Sequence, residues 1–328
     1  VYVHADCFSS ATTAAGEFFR RQFGYVPTHQ VRAPLSLSLL GLETEPHEGL
    51  VLMAAIDRHF SAAASPRTDG RVELAASQGS GREGFWVSDL KPSAGLPGAD
   101  RIKPVLRQLR RKGVHFSGFN MALESPSGGA WWGDSSAAVA RAVAVALTMR
   151  QMYPFSLGEL GAELPPRRDE RGRLPPCTER ERMQLAKLCV IAQEEAGQDS
   201  PSWAGTAATL LGRAWQVLSI DARFRTVDRA PLVGEALVVC IPEEAARRPD
   251  GRPSDVMEVC ASAARGLRAR SLRSVELAYL KANRSRLTER EYRYAYHMVG
   301  EAQRVVYAER ALREEDHRQF GQYLSHSH

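Results

Sequence analysis

The sequence predicts an α+β fold, and three observations carry that prediction. Apolar and polar residues alternate at the two-residue period of half-buried strands over residues 31–42, 49–60 and 71–76. From residue 254 onward the apolar spacing is helical instead, over 254–270, 274–281, 288–313 and 315–324. Between these regions an apolar strand at 114–123 runs through a Gly/Ser-rich loop into a helix whose inner face is Ala and Val. Runs of strands followed by runs of helices are the pattern of an α+β chain.

The remaining elements follow in order. Residues 101–113 are helical by spacing and lead into the strand at 114–123. Residues 164–177 hold four prolines and six charged residues, a composition that predicts an exposed loop. Residues 179–196 predict an amphipathic helix capped by Thr178, and 206–214 a second short helix. Strands are expected at 216–221 and 235–241. Thr288 and Glu291 have the spacing of a capping box, which starts the long helix there.

Composition bounds the function. The chain has 328 residues, 44% hydrophobic and 25% charged, enough for an ample core in one large or two ordinary domains. Its five cysteines (Cys7, Cys177, Cys189, Cys240, Cys260) form no CxxC pair, so neither a disulfide framework nor a zinc site is expected, and a reducing cytoplasm is. Cys189, Cys240 and Cys260 lie in apolar runs and read as core. The most apolar long run, 137–149, contains Arg141 and is too short to span a bilayer. The net charge of +5 gathers in 106–112, 167–173 and 265–273, where two of the three clusters alternate with Leu as amphipathic helices do. No nucleic-acid-binding motif accompanies that charge, so neither nucleic acid nor a membrane is expected as partner. The start at Val1 rather than Met suggests a trimmed start.

The segment with most chemistry is 118–149, GFNMALESPSGGAWWGDSSAAVARAVAVALTM. A Gly/Ser loop opening a helix aims backbone N–H groups and a helix N-terminus at one spot, which suits phosphate. The same residues also read as a plain turn with an N-cap. Gly133, Ser135 and Ser136 are the candidate nucleotide-binding residues of this loop. The indoles of Trp131 and Trp132 read as filling a pocket, or else as capping one or contacting a sugar face or a partner.

Residues 118–138 resemble, without a gap, the phosphate-binding segment of the galactokinases, members of the GHMP small-molecule kinases. FFRRQFGYVP at 18–27 resembles the family's N-terminal helix and turn, and APLSLSLLGLETEPHEGLVLMAAID at 33–57 keeps the register of its sugar-binding segment. Residues 189–223 and 240–260 align as well. The resemblance implies a two-lobed GHMP kinase fold, with an N-terminal lobe like domain 2 of ribosomal protein S5 over 1–200 and an incomplete helix-rich lobe over 201–328. It also implies a ligand cleft between the lobes, ATP and Mg²⁺ as the family's co-substrate and metal, and sugar 1-phosphorylation as its activity. It puts Trp86 where the family often has an aromatic near adenine, a nucleotide-binding candidate that also reads as core, and makes Ser135 the candidate Mg²⁺ ligand.

The positions that carry the family's chemistry differ. Its A-P-G-R-V-N-L-I-G-E-H-T-D-Y places Arg at Ser36, Glu at Leu42, His at Glu43, Asp at Glu45 and Tyr at Pro46. The catalytic Asp of C-G-I-M-D-Q falls at Gly205, the phosphate loop reads Ala130-Trp131-Trp132-Gly133-Asp134, and a later sugar-contacting Tyr falls at Pro253. The third glycine-rich motif would come after His328.

Glu43 and Glu45 are thus the candidate sugar-binding residues. Two apart in an extended segment, they are expected to share a face, with His47 beside them. His326 and His328 read as a polar tail. No catalytic residue is assigned. The expectation is a galactokinase-like binding or regulatory module without competent kinase chemistry, needing no cofactor, whose partners are a sugar or other small anionic ligand and a protein. The alternative is a working kinase with a rewired site, using Mg²⁺ and ATP, in which Glu43, Glu45 or Asp199 replaces the base.

Overall fold

The computed structural model describes residues 6–8, 13–78, 81–93, 95–125, 133–157, 165–197, 201–232 and 255–327, with backbone only at 6–8 and 133–135. The expected strand at 235–241 and the positions of Trp131, Trp132, Asp199, Cys240 and Pro253 lie outside the described residues, as do the side chains of Cys7, Asp134 and Ser135. The chain is α+β, and it divides into two compact units, Val1–Ser36 with Ala55–Ala214 and Leu37–Ala54 with Trp215–His328. This division differs from a boundary at residue 200 by one helix and by the segment 37–54.

The first unit is a sheet with helices. Its strands are β1 (Asp6–Phe8), β2 (His29–Leu40), β3 (Leu50–Pro66), β4 (Arg71–Ala76), β5 (Arg82–Trp86) and β6 (Phe119–Glu124), in the order β1-β2-β3-β6-β4-β5. β2 and β3 give residues to both units. β6 pairs antiparallel with the far half of β3, Ala63 opposite Ala122, and parallel with β4, Leu74 opposite Met121. The helix α1 (Ala14–Phe23) lies on β6, burying Ala15 and Phe19 against Ala63 and Ala122. Its bounds are local chemistry. The Thr13 hydroxyl accepts from Gly16 N–H, and Gly24 ends the helix at φ +83°.

The other helices of this unit are α2 (Pro97–Asp100), α3 (Lys103–Arg111), α4 (Gly133–Met152), α5 (Glu179–Glu195) and α6 (Trp203–Leu211). The small residues of α4, among them Ala140, Val143, Ala144 and Val145, are fully buried. They let α5 and α6 approach closely. Cys189 is buried in α5, and burial pushes its thiol up to about 12.

In the second unit the first residues of β3 pair antiparallel with β7 (Gln216–Asp221), Leu50 opposite Asp221, and β7 pairs with β8 (Thr226–Pro231). Its helices are α7 (Val256–Gly266), α8 (Leu277–Ala282), α9 (Glu289–Arg313) and α10 (His317–His326). One face of α9 packs on Leu40, Leu52 and Val217, and α10 joins the same core through Phe320. The N-terminal half of α9 closes a second core with Cys260, Leu267 and Leu280. No helix among the described residues is long and apolar enough to cross a membrane.

Several expected bounds move. The strand read at 114–123 is regular only from Phe119, because 114–118 bends to seat Gly118 against the start of β4. A Cβ on Gly118 would collide with the backbone of Arg71 and lie 2.6 Å from the Asp69 carbonyl. The second short helix starts at Trp203, not 206, because the Ser202 hydroxyl caps it, and it stops at Leu211, where Gly212 turns out at ψ 146°. The strand read through 42 ends at Leu40, since Gly41 is left-handed at φ +80°. β5, β8 and α2 carry too few apolar residues to show in the pattern.

Candidate functional site

Within the first unit the fold brings Ser36, Ser136, Ser202 and Gly205 together. Ser36 lies near the end of this unit's part of β2, Ser136 in the first turn of α4, and Gly205 in the first turn of α6. The Ser136 hydroxyl accepts from Ser36 N–H at 3.1 Å and donates to the Ser36 carbonyl at 2.9 Å. A hydroxyl has one proton, and here the Ser36 carbonyl takes it. Gly205 faces the same strand. A Cβ built on it would lie 3.3 Å from Ser36 Oγ and 3.0 Å from Ser202 Oγ, which itself accepts from Gly205 N–H at 2.7 Å. Ser36 and Gly205, read apart as sequence positions, are therefore neighbours in space, and neither carries a charge.

Behind them the interface of α5 and α6 is polar. Thr206 is fully buried, donates to the Ser202 carbonyl at 2.6 Å and accepts from Gln193 Nε2 at 3.1 Å. Trp86, at the end of β5, is 50% exposed with the Arg71 guanidinium 6.0 Å from its ring centroid. An exposed ring of this kind is available to stack on a planar ligand.

In the second unit Glu43 and Glu45 stand on a short 3₁₀ helix, Leu42–His47. The expected shared face does not form. With about three residues per 3₁₀ turn, side chains two apart diverge by about 120°. The segment is not extended because Gly41 and Glu48, both left-handed, close it into a turn. Thr44 reinforces the closure, its hydroxyl lying 2.8 Å from the carbonyls of Gly41 and of Leu50. Burial pushes the His47 imidazole down from its ordinary range, while the Glu43 carboxylate acts in the opposite sense.

Both ends of this turn are tied by residues the sequence did not single out. At the start, Gly41 N–H donates to the buried Glu301 carboxylate at 2.8 Å. At the end, Arg223 pairs with the Glu48 carboxylate at 2.9 Å, and Arg273 donates to the Glu48 carbonyl at 2.6 Å while clasping Asp221. Burial raises the pKa of Asp221, but the Arg273 hydrogen bonds and charge, together with backbone N–H donors at Phe224 and Arg223, hold the carboxyl below its usual range. Glu301 is more than 250 positions away from Gly41 in the chain, so no local pattern could reveal it.

Among the described residues no group of three or more His, Cys, Asp or Glu could hold a metal ion, and the Ser136 proton is engaged. Within the second unit, the carboxylates of the 42–47 turn are acceptors of the kind that suits the hydroxyls of a neutral polyol.

Comparison with known proteins bears on that chemistry. Residues 17–66 match the galactokinase galactose-binding signature. The human galactokinase is 30% identical over 323 residues, covering 94% of this chain and 74% of the relative, and the dog enzyme is 30% identical over 321 residues with the same coverage. The galactokinase of Roseiflexus is 29% identical over 323 residues, covering 95% of this chain and 75% of its own. Among solved structures, Lactococcus lactis galactokinase complexed with galactose superposes with a TM-score of 0.72 at 17% identity, over 95% of this chain and 77% of that one. A heptose 1-phosphate kinase from Bacteroides shares the fold more distantly, at a TM-score of 0.51 and 15% identity over 90% of this chain and 76% of that one.

Proposed function

We propose that this chain, which belongs to the galactokinase family, is a sugar-binding member that does not transfer phosphoryl groups. The single observation that carries the reading is that Ser36 and Gly205 face each other within the first unit. The family resemblance puts an arginine at the first position and an aspartate at the second, so their convergence supports the assigned register. The pair that would balance the phosphoryl charge and take the hydroxyl proton is a hydroxyl and a bare backbone.

Magnitudes decide the consequence. A cation on the transferring phosphoryl group is worth about 10³–10⁵ in rate and a positioned base about 10²–10⁴. The two effects are not additive, yet losing both removes at least about a thousandfold. The committed Ser136 proton points the same way, because it offers a phosphate oxygen nothing to accept.

Sugar binding is supported separately. The signature match spans the turn that bears Glu43 and Glu45, and carboxylates are strong acceptors for sugar hydroxyls. A ligand bound without chemistry makes the chain a sensor or regulatory subunit, with galactose the first ligand to try. The reading of a rewired kinase rests on the same two carboxylates acting as base. Calorimetric titration with galactose, alone and with Mg·ATP, separates the two. Heat with galactose and no product supports the binding protein, whereas galactose phosphate formed in the cell supports the rewired kinase.

A further inference from the structure

The Glu301 carboxylate is 3% exposed, too deep for an acid without a task. Three donors converge on it. Oε1 accepts from Gly41 N–H at 2.8 Å and from the Ser327 hydroxyl at 2.7 Å, and Oε2 accepts from Arg304 Nε at 2.7 Å. Gly41 is the hinge of the acidic turn. It is left-handed, and any side chain there would meet the Leu50 carbonyl and lie 2.9 Å from a Val305 methyl. Ser327 is the C-cap of α10, and Arg304 lies on α9 with Glu301 itself. One buried carboxylate therefore holds the entrance of the 41–48 turn and the end of the last helix.

The packing around it leaves little alternative for the turn. Val305, one helical turn beyond Glu301, is fully buried in the core that Leu40, Leu52 and Phe320 share, so α9 is fixed where the carboxylate leaves it. The exit of the turn is fixed by Arg273 and Arg223, as described above. With entrance and exit both anchored, the directions of Glu43 and Glu45 follow from the 3₁₀ geometry between them. A neutral amide oxygen would still accept from Gly41, though more weakly than a carboxylate does. The same oxygen would accept from Ser327, whereas the Arg304 contact needs the second carboxylate oxygen.

We propose that Glu301 is the positioning residue of this site: it sets the conformation of the 41–48 turn that presents Glu43 and Glu45, and it links that conformation to the docking of α10. The ligand half of the inference rests on the turn being sugar-facing. The conformational half does not.

The test is hydrogen exchange on the full chain, read at amides 41–49, together with galactose titration. In Glu301→Ala, exchange at 41–49 accelerates at least about tenfold, the scale of losing a hydrogen bond to a charged group, while amides at 305–312 in α9 keep their protection. Glu301→Gln, which preserves the acceptor for Gly41, stays within about threefold of the parent. Ser327→Ala accelerates exchange at 41–49 by a smaller factor. Galactose affinity falls about tenfold in Glu301→Ala and is restored in Glu301→Gln. Unchanged exchange at 41–49 in Glu301→Ala, or equal acceleration along α9, overturns the positioning role. Unchanged exchange at 41–49 in Ser327→Ala overturns the link to α10. If the parent binds no galactose, the sugar reading fails while the exchange result still decides the role of Glu301.

Discussion

The Ser136 hydroxyl closes on both backbone groups of Ser36, accepting from its N–H at 3.1 Å and donating to its carbonyl at 2.9 Å. This clasp joins the first turn of α4 to β2 where the family resemblance expects a phosphate-binding serine and a charge-balancing arginine. A side chain used this way serves the fold.

Ser136→Ala is accordingly expected to cost stability. Two backbone groups lose a partner in a half-buried place, worth about 1–3 kcal/mol. Urea unfolding of parent and variant measures it. An unchanged midpoint would contradict the clasp.

Nucleotide binding provides an independent check. A ligand at 100 times its dissociation constant stabilises a fold by about 2.7 kcal/mol. Millimolar Mg·ATP is expected to leave the thermal midpoint of this chain where Mg²⁺ alone leaves it. A shift of several degrees would mean that the phosphate segment still works.

Gly41→Ala tests the turn itself. The left-handed φ and the contact with the Leu50 carbonyl both oppose a Cβ, and strain of this kind costs about 1–3 kcal/mol before any clash. The expected result is destabilisation above about 2 kcal/mol with loss of galactose binding. A variant as stable as the parent would refute the hinge.

Acid should weaken the first unit early. Burial, helped by the charge of Arg168, lowers the His29 pKa to about 4, whereas an unfolded His titrates near 6.5. The unfolded chain therefore binds the proton first, so this contribution is fully present above pH 6.5 and is lost as pH falls through that value toward 4. After discounting for partial solvent screening the loss is about 1–2 kcal/mol. Denaturation at pH 7 and pH 5 should show it in the parent, and His29→Gln should flatten the dependence. Equal slopes in both proteins would reject this role for His29.

Much of this fold was legible because its signals are local. Thr288 with Glu291 builds the expected capping box, Thr178 caps its helix with Glu181 in a second box, and β4 and β7 fall on the residues read as strands. The acidic turn was not legible, since nothing in GLETEP separates a strand end from a 3₁₀ turn until Gly41 and Glu48 adopt positive φ. Ser202 went unread because capping a helix is a role shared by many serines. Glu301 and Arg273 are recognisable only from what they touch far along the chain. The proximity of Ser36 to Gly205 had a signal, the family register, but its distance had none.

The central claim is that Ser36 and Gly205 leave the chain without phosphoryl transfer, and the direct measurement is galactose phosphate formation from Mg·ATP by purified protein free of host kinase. Ordinary kinases turn over at about 1–100 s⁻¹. The account predicts a rate at least about a thousandfold below that range, unchanged when Glu43 and Glu45 are both replaced by Gln. Turnover within a thousandfold of an ordinary sugar kinase, abolished by those two substitutions, would contradict it and make the carboxylates of the turn catalytic.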